Sequence, residues 1–183
     1  AAKVEAARFD QFRKEPDAKV RILHNNTVSE LMEVDAPMLR GEIAYHEGRY
    51  DKAFSLLRTA VRRQDELKYD EPWGKMQPIR HALGGLLLEQ GHLKEAEEVF
   101  RKDLKFHPKN PWGMTGLAEC LRRKENGSCC AATTEKENKE MNGHGSHLGE
   151  IRQLEEDTAE QRKSKWADFE VKCSCACCKE LTN

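Results

Sequence analysis

Between residues 50 and 64 the chain reads "YDKAFSLLRTAVRRQ", and Ala53, Leu56, Leu57, Ala60 and Val61 recur at spacings of three and four. That period gathers the apolar side chains on one face of a helix and turns the charged ones to the other. The same period predicts helices over residues 1–14, 28–46, about 78–90, about 92–106 and 111 to about 124. No segment alternates apolar and polar positions for long enough to predict a strand. Punctuation agrees with the pattern. Pro16 stops the first helix, since proline pushes the residue before it out of helical geometry. Thr27 and Glu30 have the spacing of a capping box, in which each side chain takes up a free backbone N–H of the new helix. Pro37 is expected to break the helix that follows, and Gly48 to end it. Asn110 can cap the helix beginning at Pro111, where a missing N–H is harmless. "DELKYDEPWGKMQP", residues 65–78, reads as a connector. Residues 125–147, rich in Glu, Lys, Asn, Gly and Thr, read as a mobile low-complexity insertion. Beyond it Leu148, Ile151, Leu154, Ala159, Trp166 and Phe169 form a stripe over 148–170, predicted to fold back as a capping helix.

Laying residues 36–61 over residues 79–104 exposes an internal repeat. Gly41 falls on Gly84, Gly48 on Gly91, Ala53 on Ala96 and Leu57 on Phe100, each pair 43 residues apart, as 84 is from 41. Gly41 and Gly84 lie inside helices, where glycine is less favourable than alanine by about 1 kcal/mol. Close contact between helices must compensate. Gly48 and Gly91 stand at helix ends, where glycine enters the left-handed conformation without penalty. Ala53 and Ala96 are small residues early in a second helix, which lets its axis approach the first.

With Leu83, Gly84, Ala96, Phe100 and Pro108 in place, the second copy resembles the tetratricopeptide-repeat family. Its pattern runs Trp, Leu-Gly, Tyr, Ala-x3-Phe and Pro over about 34 residues. The second copy departs at Arg80, where the family often has Trp, and at Leu87, where it has Tyr. The first keeps Gly41 and Ala53 but has Arg40 before the glycine and Leu57 for Phe. Its period exceeds the standard by about nine residues, which "YDEPWGKMQP" takes up. A third copy starts over Trp112 to Ala118 and is split by the insertion. The resemblance implies an all-α, right-handed superhelix of helix pairs over residues 1–124, with pairs at about 36–69 and 77–109 and a further first helix at 110–124. The 148–170 helix caps it, and a Cys-rich tail occupies 171–183. It also implies a C-terminal piece of a longer repeat protein.

Stacked pairs of this kind create a concave surface lined by their first helices, and in this family that groove holds a peptide or partner helix. Carried over to this chain, the groove positions are Met38, Glu42, Tyr45 and His46, then His81, Gly85, Leu88 and Glu89, with Asn110 at the entrance to the third copy. Members that grip chaperone C-terminal carboxylates need Lys and Asn in the groove. Met38 and Glu42 stand there instead, which argues against that ligand. Trp73, Arg80 and His81 flank the connector, either as a recognition corner or as packing around the long linker.

Composition narrows this further. The 31 basic and 32 acidic residues nearly cancel, unlike the basic excess of a nucleic-acid binder. No run reaches the roughly 20 apolar residues of a membrane span. The opening "AAKVEAARFD" has neither Met nor an apolar signal core, so the chain reads as a processed or truncated piece whose targeting segment is missing. The seven cysteines are odd in number and clustered towards the end, which suggests reduced thiols in a cytoplasmic setting. "CSCACC" places Cys173, Cys175, Cys177 and Cys178 within six residues. Thiolates suit zinc or copper, and Cys129 and Cys130 could complete such a site, but structural zinc prefers Cys-x2-Cys pairs far apart. A thiol-rich metal or redox module is therefore the alternative to a scaffold. Cys120, between Leu117 and Leu121, reads as a core residue, and His144 and His147 as loop residues. No phosphate-binding glycine loop, His-Glu-x-x-His or nucleophile elbow occurs. The expectation is a non-catalytic protein-binding scaffold without a cofactor.

Overall fold

A computed structural model of the chain describes residues 2–71, 74–75, 77–127 and 147–165. Among them the fold is all-helical apart from one pair of two-residue strands. The helices are α1 (Ala2–Arg13), α2 (Pro16–Val20), α3 (Val28–His46), α4 (Tyr50–Asp65), α5 (Ile79–Glu89), α6 (Leu93–Phe106), α7 (Pro111–Glu125) and α8 (Leu148–Lys165). Strands β1 (Ile22–Leu23) and β2 (Asn26–Thr27) pair antiparallel. No described helix is long and apolar enough to cross a membrane. The chain divides into two units, Ala1–Ile79 and Arg80–Asn183.

The first unit is built on the hairpin of α3 and α4. Gly41 earns its place by contact: a Cβ there would lie 2.9 Å from Cγ of Leu57 and 3.2 Å from the carbonyl oxygen of Ala53. Gly48 turns the chain with φ +75. Val34, Ala60 and Ile79 are fully buried together, with Met38, Val61 and Leu67 packed against them. The capping box forms: the Thr27 hydroxyl accepts from the Glu30 amide (3.1 Å), and the Glu30 carboxylate accepts from the Thr27 amide (2.6 Å). That amide, then the hydroxyl, holds the Glu30 carboxyl below its ordinary range.

One expectation fails in this unit. Pro37 does not break α3, which runs unbroken through it. Proline removes one helical hydrogen bond, but Val34, Ala36, Pro37 and Gly41 are all buried in the packed side of α3, and that packing outweighs the lost bond. Pro16 opens α2 at its first turn. His24 takes φ 56 in the turn between β1 and β2. There Asn26 is buried and pairs with the backbone of Lys68 in both directions, accepting at 2.8 Å and donating at 3.0 Å. Asn25 adds a bond to the carbonyl of Tyr69 (2.9 Å). The connector after α4 is thereby pinned. Helix α1 packs on α3 and buries none of its own residues. Asp10 accepts from Arg40 (2.5 Å) and Glu33 pairs with Arg13. Arg40, the residue out of pattern before Gly41, thus reaches α1 where Leu83 of the second copy is buried.

The second unit repeats the hairpin with α5 and α6. A Cβ on Gly84 would lie 2.8 Å from the ring of Phe100, and Gly91 turns the chain with φ +79. The turns match bond for bond. Arg49 and His92 each donate, at 2.9 Å, to the carbonyls of Ala44 and Leu87, and Ala53 and Ala96 each donate, at 2.9 Å, to those of Arg49 and His92. Helix α7 follows, capped by the Asn110 side chain, which accepts from the amides of Trp112 (3.0 Å) and Gly113 (3.4 Å). A Cβ on Gly116 would meet the same Phe100 ring, closer still than one on Gly84.

Helix α8 packs on α7, and part of the stripe read from sequence is covered. Ile151 is buried and Leu154 half-buried, whereas Leu148 is 63% exposed and Ala159 is exposed. Ion pairs add to the contact. Glu150 accepts two bonds from Arg101 (2.6 and 2.9 Å), and Glu155 pairs with Arg122. Trp166 and Phe169, the insertion at 128–146 and the tail at 171–183 lie outside the described residues.

Candidate functional site

The first helices of the pairs carry the positions expected to bind. On α3, Glu42 is half-buried and His46 exposed. They lie four residues apart, on one side of the helix. Tyr45 lies beside them, its ring edge-on to His46 (centroids 6.1 Å apart). It is buried, with its ring edge-on to Tyr50 (centroids 5.1 Å apart) and Phe54 (6.1 Å). Met38 is partly covered against the Val34, Ala60 and Ile79 core.

On α5, 43 residues further on, Glu89 is half-buried, Gly85 is buried and Leu88 is fully buried. Leu88 and Tyr45 therefore occupy equivalent core positions, and each supports the helix rather than meeting solvent. Arg80 is buried, its guanidinium 5.0 Å from the centre of the Phe106 ring. A planar cation over an aromatic face is attracted by the ring quadrupole, so Arg80 is held in the packing. Trp73, its expected companion, lies outside the described residues. Asn110 is occupied as the α7 cap.

His81 leads to a residue that the sequence reading missed. Its Nε2 is 2.8 Å from Oδ2 of Asp103, and Nδ1 of His107 is 3.1 Å from Oδ1 of the same carboxylate. Asp103 is 0% exposed. A buried carboxylate is tolerated only where hydrogen bonds replace the lost water, and the two imidazoles supply them. Gly113 makes room, since a Cβ there would lie 3.0 Å from Oδ2. The signal was present: Leu93, Ala96, Phe100 and Asp103 share one helical face, and Asp103 is the one polar member. The cluster ties α5 to α6 and leaves α7 close contact at Gly113.

Cys120 is buried, its thiol 3.0 Å from the carbonyl of Leu93. Burial pushes its pKa up to about 12, so the thiol stays protonated and unreactive near neutrality. The backbone amide of His147 donates to the Glu125 carboxylate. Among the described residues no group of three or more His, Cys, Asp or Glu is placed to hold a metal ion. Cys129, Cys130, Cys173, Cys175, Cys177, Cys178 and His144 lie outside the described residues. No family model, curated protein or solved structure matches this chain.

Proposed function

We propose that this chain is a tetratricopeptide-like repeat protein, a right-handed superhelix of helix pairs, that acts as a non-catalytic scaffold in the cytoplasm. It holds a peptide or partner helix against the first helices of its pairs, and uses no cofactor. One observation supports this most: the hairpin occurs twice with the same parts. In both copies a glycine of the first helix meets the large residue seven positions after the turn glycine's second neighbour, Leu57 or Phe100, and the turn bonds keep the same register. Duplicated units that bury their faces on neighbours are the building principle of repeat scaffolds.

The accessible side chains at the expected positions are Glu42, His46 and Glu89. Two carboxylates without a compensating Lys or Arg among them favour a peptide carrying basic residues. Selection of a displayed random peptide library on the full chain tests the reading. Convergence on a basic motif is expected, with affinity falling about tenfold (a loss of about 1.4 kcal/mol) in Glu42→Arg or Glu89→Arg. Glu98→Arg, on the exposed side of α6, should leave affinity unchanged. Failure to converge, or an equal loss at Glu98, would contradict the proposal.

A further inference from the structure

Helix α8 is attached to its unit by different means from its neighbours. Of the side chains described on it, Ile151 alone is buried, at 7% exposure. Leu154 is half-buried, and ion pairs add to the hold: Glu150 on Arg101 of α6, and Glu155 on Arg122 of α7. Arg101 is steadied by Glu97 (2.6 Å), and Glu97 by Lys124. These partners remain wet, with Arg101 39% and Glu150 37% exposed. Exposed ion pairs contribute little each and are screened by salt. By contrast α7 is fitted to α6 through Gly116 on the Phe100 ring.

The surface under α8 has the makings of a receptor. On α7, Met114, Ala118 and Leu121 are buried and share one helical side with Glu125, which receives the His147 amide at the start of α8. Arg101 and Arg122 border this apolar stripe. Covalent attachment keeps even a weakly held helix in place, because its effective concentration is high.

We infer that the α6–α7 face bordered by Arg101 and Arg122 is a docking surface for an acidic amphipathic helix, with α8 as its resident occupant, displaced when such a partner binds. The recognised pattern is the one α8 displays, Glu150, Ile151, Leu154 and Glu155: two apolar residues flanked by carboxylates. This surface belongs to α6 and α7, whereas Glu42, His46 and Glu89 belong to α3 and α5, and the inference stands independently of the peptide reading.

A labelled synthetic peptide of residues 147–165 is the probe, added in trans to the full chain. The unaltered chain should bind it weakly, since its own α8 competes. Glu150→Lys with Glu155→Lys releases the resident helix, and this variant should bind the peptide at least about tenfold tighter (about 1.4 kcal/mol). Adding Arg101→Glu and Arg122→Glu should abolish that binding, because the reversed charges repel the acidic peptide and seat the resident helix again through its new lysines. A peptide with Lys at both acidic positions should then bind only as weakly as the natural peptide binds the unaltered chain. Equal affinity for the unaltered and released chains, or no affinity for a released chain that keeps its helical circular dichroism, overturns the proposal. If the released variant unfolds, hydrogen exchange on the unaltered chain decides. Raising salt to about 1 M, where the screening length falls to about 3 Å, should then speed exchange in α8 and leave α7 protected. Joint loss of protection in both helices overturns the proposal.

Discussion

The hairpins α3/α4 and α5/α6 share a turn and differ in one knob. In the first, Leu57 fills the space left by Gly41; in the second, Phe100 fills the space left by Gly84 and also meets Gly116 of the following helix. Leu57 meets the glycine of α3, whereas the Phe100 ring lies against glycines of both α5 and α7 and so joins three helices. The same local design therefore closes a hairpin in one copy and extends the stack in the other, and the difference lies in one side chain. The compensation for Gly41 differs too: Arg40 reaches Asp10 of α1 through charge, where Leu83 is buried in the core.

Truncating the knobs should give the largest effects. Phe100→Ala is expected to destabilise by about 3–5 kcal/mol and Leu57→Ala by about 2–5 kcal/mol, measured by urea unfolding. The comparison sharpens if Phe100→Ala also strips hydrogen-exchange protection from α7, while Leu57→Ala leaves α7 untouched. Equal local effects of the two variants would break it.

Filling the gap should come next. Gly84→Leu overpacks the ring contact and is expected to cost about 1–3 kcal/mol; an unchanged melting temperature would show that the helices do not meet there. A similar size is expected from Asn26→Ala, about 1–3 kcal/mol, because the Lys68 N–H and C=O lose their buried partner. Thermal melts of the full chain check both.

Much of this design was legible before any coordinates. Gly48, Gly91, Ala53, Ala96 and the cap residues Thr27 and Asn110 act through their own or nearby backbone, so their spacing alone carried the information. Asn26 was invisible because its partner, Lys68, lies far along the chain and no local pattern marks it. Asp103 stood out as the one polar residue of its buried helical face, but its partner His81 lies on another helix. Pro37 misled for a related reason: propensity is local, and tertiary packing overrode it. On α8 the apolar spacing marked Ile151 and Leu154 but not the ion pairs of Glu150 and Glu155, whose partners Arg101 and Arg122 lie on other helices. At the candidate binding faces, periodicity placed Tyr45 and Leu88 on the first helices but could not tell that their side chains turn into the core.

The smallest expected effect separates apolar from ionic docking. The Arg101 hydrogen bond holds the Glu150 carboxyl below its ordinary value of 4.5. A depressed folded value means that the contribution is fully present above the ordinary value and is lost as pH falls through the lower one. Acidification should thus loosen α8 before the hairpins respond, as read by hydrogen exchange. Glu150→Gln should flatten that dependence. A pH response of α8 that survives the substitution would assign its docking to other groups.

The sharpest test of the duplicated, differently filled hairpin is a proton NMR spectrum of the full chain with assigned glycines. Protons close to an aromatic ring are displaced by its ring current, upfield over the face and downfield at the edge, so the Hα signals of Gly84 and Gly116 should both be displaced and both show nuclear Overhauser contacts to the Phe100 ring. Gly41 should show contacts to the Leu57 methyls and no ring shift. Unshifted Gly84 and Gly116 signals without contacts to Phe100 would contradict the account.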